Sequence, residues 1–175
     1  MKLNLSQTAG RSKPMKPNLG QTLLGMTLLV ALVGLAPAAH AGPCSQAAVA
    51  GMWGYSYTGT IILPTGPVPA AAVGRFTLDA DGNLSGTQTR SVGGGVGEEV
   101  IKGSSTVNQD CTTTFKVDVY DGAGNLLRTA VLNGVYLDNA TELRAIFASL
   151  VLPNGASLPI VITVDAKKVS SGDDH

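Results

Sequence analysis

The stretch Gly74 to Thr89, GRFTLDADGNLSGTQT, constrains the fold of this chain most, because two β-type runs flank an Asp81-Gly82 turn. Asp and Gly accept the positive φ that tight turns between twisted strands require, and aromatic or β-branched residues suit a pleated surface. The side chains also choose the register. A two-residue Asp81-Gly82 loop would set Phe76 and Leu78 across from Thr87 and Ser85 and leave Leu84 with the polar set. A three-residue loop, Ala80 to Gly82 with Gly82 left-handed in a bulge, groups Phe76 and Leu78 with Leu84 and Gly86 and sends Arg75, Thr77, Ser85 and Thr87 to the other face. The second register is the expected one, with the apolar side as core and Arg75 as scaffold.

The same grammar runs along the chain. Gln46 to Ala50 is Ala-rich and reads as a helical turn, too short to stand alone. Gly51 to Leu63 alternates, with Trp53, Tyr55, Tyr57 and Ile61 on one face. Pro64, Gly66, Pro67 and Pro69 are expected to break the ladder, since proline lacks the amide donor. Strands follow near Ala72 to Asp79 and Asn83 to Val92, and Gly93, Gly94, Gly95 and Gly97 read as a flexible connection. The run lacks the Gly-Lys-Ser/Thr ending and following helix of a phosphate loop. Further strands are expected over Glu99 to Val107, Cys111 to Tyr120, Leu126 to Leu137, Glu142 to Leu152 and Leu158 to Lys168, with Ser170 to His175 as a polar tail. About eight strands on short turns, with no packing-length helix between them, exclude a parallel βαβ architecture. The expected fold is all-β: an antiparallel up-and-down barrel of about eight strands, a number at which a sheet can close on itself and so remove its exposed edges. A membrane-spanning barrel would show aromatic girdles, whereas this chain has three Phe, four Tyr and one Trp, and its closing strand runs into a polar tail.

Ahead of the domain, Lys2, Arg11, Lys13 and Lys16 precede an apolar run from Thr22 to Leu35 that leads into Ala39-His40-Ala41. The run falls short of the roughly 20 apolar residues of a membrane span, so residues 1–41 are expected to be a cleavable signal peptide, with an uncleaved anchor as the alternative. Pro43 before Cys44 argues against lipid attachment. Four of the 12 basic residues lie in that segment, leaving eight against 12 acidic ones, with no basic run. A mildly acidic domain is unsuited to nucleic acid or anionic lipid, and no stable membrane insertion is expected after cleavage. Residues 42–169 suit one domain with one core. Cys44 and Cys111, an even pair in an exported chain, read as a disulfide. The implied location is periplasmic or extracellular.

Little of the sequence points to covalent chemistry. After cleavage the only histidine is the terminal His175, so a Ser-His-Asp or Cys-His nucleophile has no base and a zinc site has too few ligands; no cofactor or metal is expected. Glu98-Glu99 is a carboxylate pair, but strand neighbours point to opposite faces, and its glycine-rich context reads as a solvated strand start. Asp79-Ala80-Asp81-Gly82-Asn83 has its Gly fourth rather than sixth and Arg90 at the twelfth position, so it reads as a turn and not as a calcium loop. The sequons Asn83-Leu84-Ser85 and Asn139-Ala140-Thr141 are read as chance. The aromatic face Trp53, Tyr55, Tyr57 is the candidate ligand-binding wall, with ordinary core packing as its alternative.

Three pieces, Cys44 with Gly51-x-x-Gly54-Tyr55-x-Tyr57, the hairpin from Gly74 to Thr87, and Asn108-x-Asp110-Cys111-Thr112, resemble a group of exported bacterial proteins of uncharacterised function with a calycin-like or allene-oxide-cyclase-like β-barrel. The resemblance implies a barrel and the Cys44–Cys111 pairing, and places no catalytic motif on these residues. The expected function is the non-catalytic binding of a small apolar or amphipathic ligand by a secreted or periplasmic barrel. The alternatives are a structural or surface-interaction module with a filled barrel and, more weakly, a cyclase or isomerase acting on a lipid-like substrate. Interior volume separates them: roughly 300 Å³ or more favours the binder. Tyr55 or Glu99 facing outward would tell against an enzyme.

Overall fold

The computed structural model describes residues 44–169. The expected signal segment 1–41 and the polar tail 170–175 lie outside the described residues. A short helix α1 (Gln46–Val49) precedes eight strands: β1 (Gly51–Leu63), β2 (Gly66–Leu78), β3 (Asn83–Val92), β4 (Gly95–Val107), β5 (Thr112–Tyr120), β6 (Leu126–Leu137), β7 (Glu142–Val151) and β8 (Ile160–Lys168). Each strand pairs antiparallel with the next, and β8 returns to β1, closing the barrel. Closure leaves every strand with two partners.

The hairpin register is the one its side chains select. Leu78 faces Leu84, Phe76 faces Gly86 and Arg75 faces Thr87. The Asp79 amide donates to the Asn83 carbonyl, the Gly82 amide donates to the Asp79 carbonyl, and Gly82 has φ 88°. The same three-residue loop recurs over Asn108–Thr112, Asp121–Asn125 and Leu152–Ala156, with Cys111, Gly124 and Gly155 at the left-handed position. Asp79 Oδ1 accepts from the Asp81 and Asn83 amides and Oδ2 from Asn83 Nδ2, so the turn itself engages the carboxylate that a cation would need. Those bonds, chiefly from Asn83, hold the Asp79 carboxyl below the ordinary aspartate range.

Two expectations about breaks in the ladder are corrected. β2 begins at Gly66, and Pro67 and Pro69 pair with Ile62 and Thr60 of β1. The Gly93 amide donates to the Pro69 carbonyl, so the donor that Pro69 lacks would point towards β3, beyond the end of its pairing with β2 at Ala70 and Val92. Pro67, two residues on, looks the same way, and neither removes a ladder bond. The glycine run is likewise mostly strand: only Gly93 and Gly94 form the connection, both with positive φ, and Gly95 already pairs with Val92. That is a tight two-residue hairpin turn.

The outward positions carry Thr77, Lys102, Lys116, Asn133, Arg144 and Asp165, all exposed, with Arg144 and Lys167 paired to Asp165 and Glu142 across β7 and β8. Inward positions hold the apolar core, and one end is plugged. There Trp53 and Val49 are fully buried, and Trp53 stacks on Phe76 at 6.1 Å and meets Tyr136 at 5.5 Å. Trp53 Nε1 donates to the Val49 carbonyl (2.9 Å), tying α1 to β1. Gln46 Nε2 donates to the Ser105 carbonyl and hydroxyl, while its Oε1 accepts from the Val107 amide. The Cys44–Cys111 disulfide fastens the start of the plug to the β4–β5 turn. In the chain-entropy picture, closing a loop of that size stabilises by roughly 4 kcal/mol.

Candidate functional site

From the plug onward, the pairing lays three rungs across β1 to β4. Trp53, Phe76, Gly86 and Ile101 form the first, continued by Val119 and Arg128 on β5 and β6. Tyr55, Gly74, Gln88 and Glu99 form the second, and Tyr57, Ala72, Arg90 and Gly97 the third. Small residues therefore stand between the large polar ones. At Gly74 an added Cβ would come within 2.9 Å of the Tyr55 ring and 2.5 Å of the Thr87 carbonyl, so only glycine lets Tyr55 reach across to Gln88.

That reach completes a buried network. The Tyr55 hydroxyl donates to Gln88 Oε1 at 2.6 Å, and Gln88 Nε2 donates to Glu99 Oε2 at 2.6 Å. Arg128 grips the same carboxylate with both terminal nitrogens, Nη1 to Oε1 at 2.8 Å and Nη2 to Oε2 at 2.5 Å. Arg90 Nη1 reaches Oε1 only at 3.4 Å. The side chains of Glu99 and Arg128 are 7% and 8% exposed, and that of Arg90 is 21% exposed. Burial pushes the Glu99 carboxyl up, but the hydrogen bonds and charge of Arg128, the Gln88 amide and the Arg90 charge outweigh it and hold the group below its ordinary value. Burial raises the Tyr55 phenol far beyond its usual range, with the neighbouring Tyr57 and Glu99 adding to the effect, so Tyr55 remains a neutral donor. Tyr57 is raised too, mainly by burial, while Arg128 and Arg90 draw it back.

Against this network lies an apolar cavity of about 60 Å³, bounded by Tyr55, Tyr57, Phe76, Phe115, Phe147 and Arg128 among others. Phe147 meets Tyr57 edge-on at 5.4 Å, and Phe76 meets Tyr55 at 5.6 Å and Phe115 at 6.3 Å. The volume is less than half of the ~150 Å³ of an engineered apolar cavity that takes up benzene. By volume the interior stands nearer the filled case than the open one.

The three residues expected to form the aromatic wall divide. Tyr55 and Tyr57 line the cavity; Trp53 lies below it, in the plug. Glu98 is exposed on the outer face as alternation requires, but Glu99 is no solvated strand start: β4 begins four residues earlier, and Glu99 points into the barrel. Arg75 is exposed on the outer face. Gln88, Arg90 and Arg128 were not among the expected site residues, although strand parity could have found them. Gln88 and Arg90 share the inward parity of Leu84 and Gly86, and Arg128 that of Ala130 and Leu132. A charge on the core-facing parity of a strand is the signal.

No protein-family model matches the sequence, and no curated protein matches it. Among solved structures, that of EF1p2_mFAP2b bound to DFHBI is similar, with 12% identity and a TM-score of 0.48 over 71% of this chain and 98% of the other.

Proposed function

We propose that this protein is an exported barrel that binds a small amphipathic molecule without covalent chemistry, the apolar part among Tyr57, Phe76, Phe115 and Phe147 and the polar part at the Glu99 network. The observation that carries the reading is a hydrogen-bonded ion network bordering an apolar cavity inside the barrel. Ion pairs of this kind are a poor way to stabilise a core, because apolar replacements of similar volume are commonly neutral or stabilising by about 1–4 kcal/mol. Polar groups converging beside an apolar pocket are what a binding site needs to orient a ligand. The Cys44–Cys111 disulfide suits an oxidising compartment.

A second reading, a structural module with a filled barrel, is favoured by the volume itself, since ligand sites usually enclose roughly 300 Å³ or more and this one encloses about 60 Å³. Binding therefore requires either a ligand with a tail of a few atoms or displacement of a lining ring such as Phe147. Native mass spectrometry of protein purified gently from its own host separates the two readings. A co-purified small molecule, lost on denaturation, is the expected result; a clean ligand-free mass favours the module. Intact mass in the same experiment reads export, with a chain beginning at Gly42 as the expected product.

A further inference from the structure

Resting on the ligand-binding reading, we infer that the polar end of the bound molecule is a monoanion, a short-chain aliphatic carboxylate whose acid group lies against the Arg90 guanidinium. The interior charges do not balance. Arg90 and Arg128 bring two positive charges to one carboxylate, and among the described residues Glu99 is the only buried acid. The neighbouring acids face away: Glu98 is exposed on the outer face, and Asp118, at the outward parity of β5, accepts from Thr129.

Nor do the hydrogen bonds balance. Glu99 Oε1 accepts one hydrogen bond from each arginine, and Oε2 accepts one from Arg128 and one from Gln88, which fills the carboxylate's four acceptor directions. Gln88 Oε1 is held by Tyr55. Arg128 takes the short, two-pronged geometry, whereas Arg90, a group with five N–H donors, has only a 3.4 Å contact to Glu99 and the neutral Tyr57 hydroxyl beside it. A guanidinium withdrawn four-fifths from water without a carboxylate of its own is costly, and a second carboxylate supplies two acceptors in the matching planar fork.

The position fits an amphipathic acid. Arg90 shares its rung with Tyr57 and Gly97, with only Ala72 between it and Tyr57, and Tyr57 lines the apolar cavity. An acid group at Arg90 would leave its chain free to descend past Tyr57 towards Phe147 and Phe115. One surplus positive charge matches one negative charge, which favours a carboxylate over a phosphate monoester carrying about −1.5 to −2.

Isothermal titration of the purified protein at pH 7 with butanoate, hexanoate and octanoate, each against the alkan-1-ol of the same chain length, tests this. The acid of the best-fitting length is expected to bind at least tenfold more tightly than its alcohol, and Arg90→Gln to abolish that difference. The comparison of acid with alcohol needs no variant, so it stands even where Arg90→Gln fails to fold. Equal binding of acid and alcohol overturns the anion and leaves the binding reading intact. Binding of none of the six at millimolar concentration overturns both. A preference for the acid that survives Arg90→Gln overturns the assignment to Arg90.

Discussion

The two halves of this barrel are built on opposite principles. At the plugged end, α1, Trp53, Tyr136 and a disulfide bury large apolar surfaces, and the polar groups of Gln46 and the indole meet backbone partners. From the Phe76 rung onward the interior turns polar and charged: Glu99, Arg128, Gln88 and Arg90 occupy inward positions that elsewhere hold Val, Leu or Ala. The plug shows what this chain does where stability governs the choice of residue. The contrast favours the proposal that the charged half is the binding half.

The largest expected effect lies in the plug. Trp53→Ala removes a fully buried indole that packs on Phe76 and Tyr136, and should cost about 3–5 kcal/mol in urea unfolding. A loss below about 1 kcal/mol would mean that the plug is not the stabilising half. In the charged half, Arg128→Ala should cost a similar amount, about 3–5 kcal/mol, for a different reason: Glu99 stays buried with only the distant Arg90 as a cation. The two variants are therefore separated by pH rather than by size of effect, because protonating Glu99 should recover part of the Arg128→Ala loss and none of the Trp53→Ala loss.

Reducing the disulfide, or Cys44→Ser with Cys111→Ser, should lower stability by about 2–5 kcal/mol. Hydrogen exchange should then show the increase in opening concentrated at α1 and the β4–β5 turn. A smaller effect is expected on acidification. The folded Glu99 carboxyl is held below its unfolded value, so its contribution is present above the unfolded glutamate pKa of about 4.3 and fades as the pH falls through the folded value. Urea midpoints between pH 6 and pH 3 should fall less steeply in Glu99→Gln than in the parent chain.

Most of the scaffold is legible in the sequence, and the site is legible only in part. The turn at Asp79–Asn83 and the alternation of Phe76, Leu78 and Leu84 carry enough local information to fix a register, because a slip of one residue would turn every apolar side chain outward. Pro67 and Pro69 mislead for the opposite reason. Whether a proline removes a ladder bond depends on where its neighbouring strand ends, and that is a property of the closed barrel, not of the segment. Glu99 misleads in the same way: beside Gly93 to Gly97 it looks solvated, and only the pairing with Gln88 and the approach of Arg128 from β6 show it to be enclosed. Alternation alone puts Tyr55 and Tyr57 on the inward face, where they line the cavity, while Trp53, equally prominent in sequence, belongs to the plug because α1 folds under it.

The central claim is that the ion network is kept for something other than stability, and urea unfolding of the Glu99→Leu/Arg128→Met double variant tests it most directly. Replacing both members of the ion pair with apolar side chains should leave the protein as stable as the parent or more so, by up to about 4 kcal/mol, in contrast to the loss from Arg128→Ala alone. A double variant that loses as much as the single one would contradict the claim and return the charged half to the role of core.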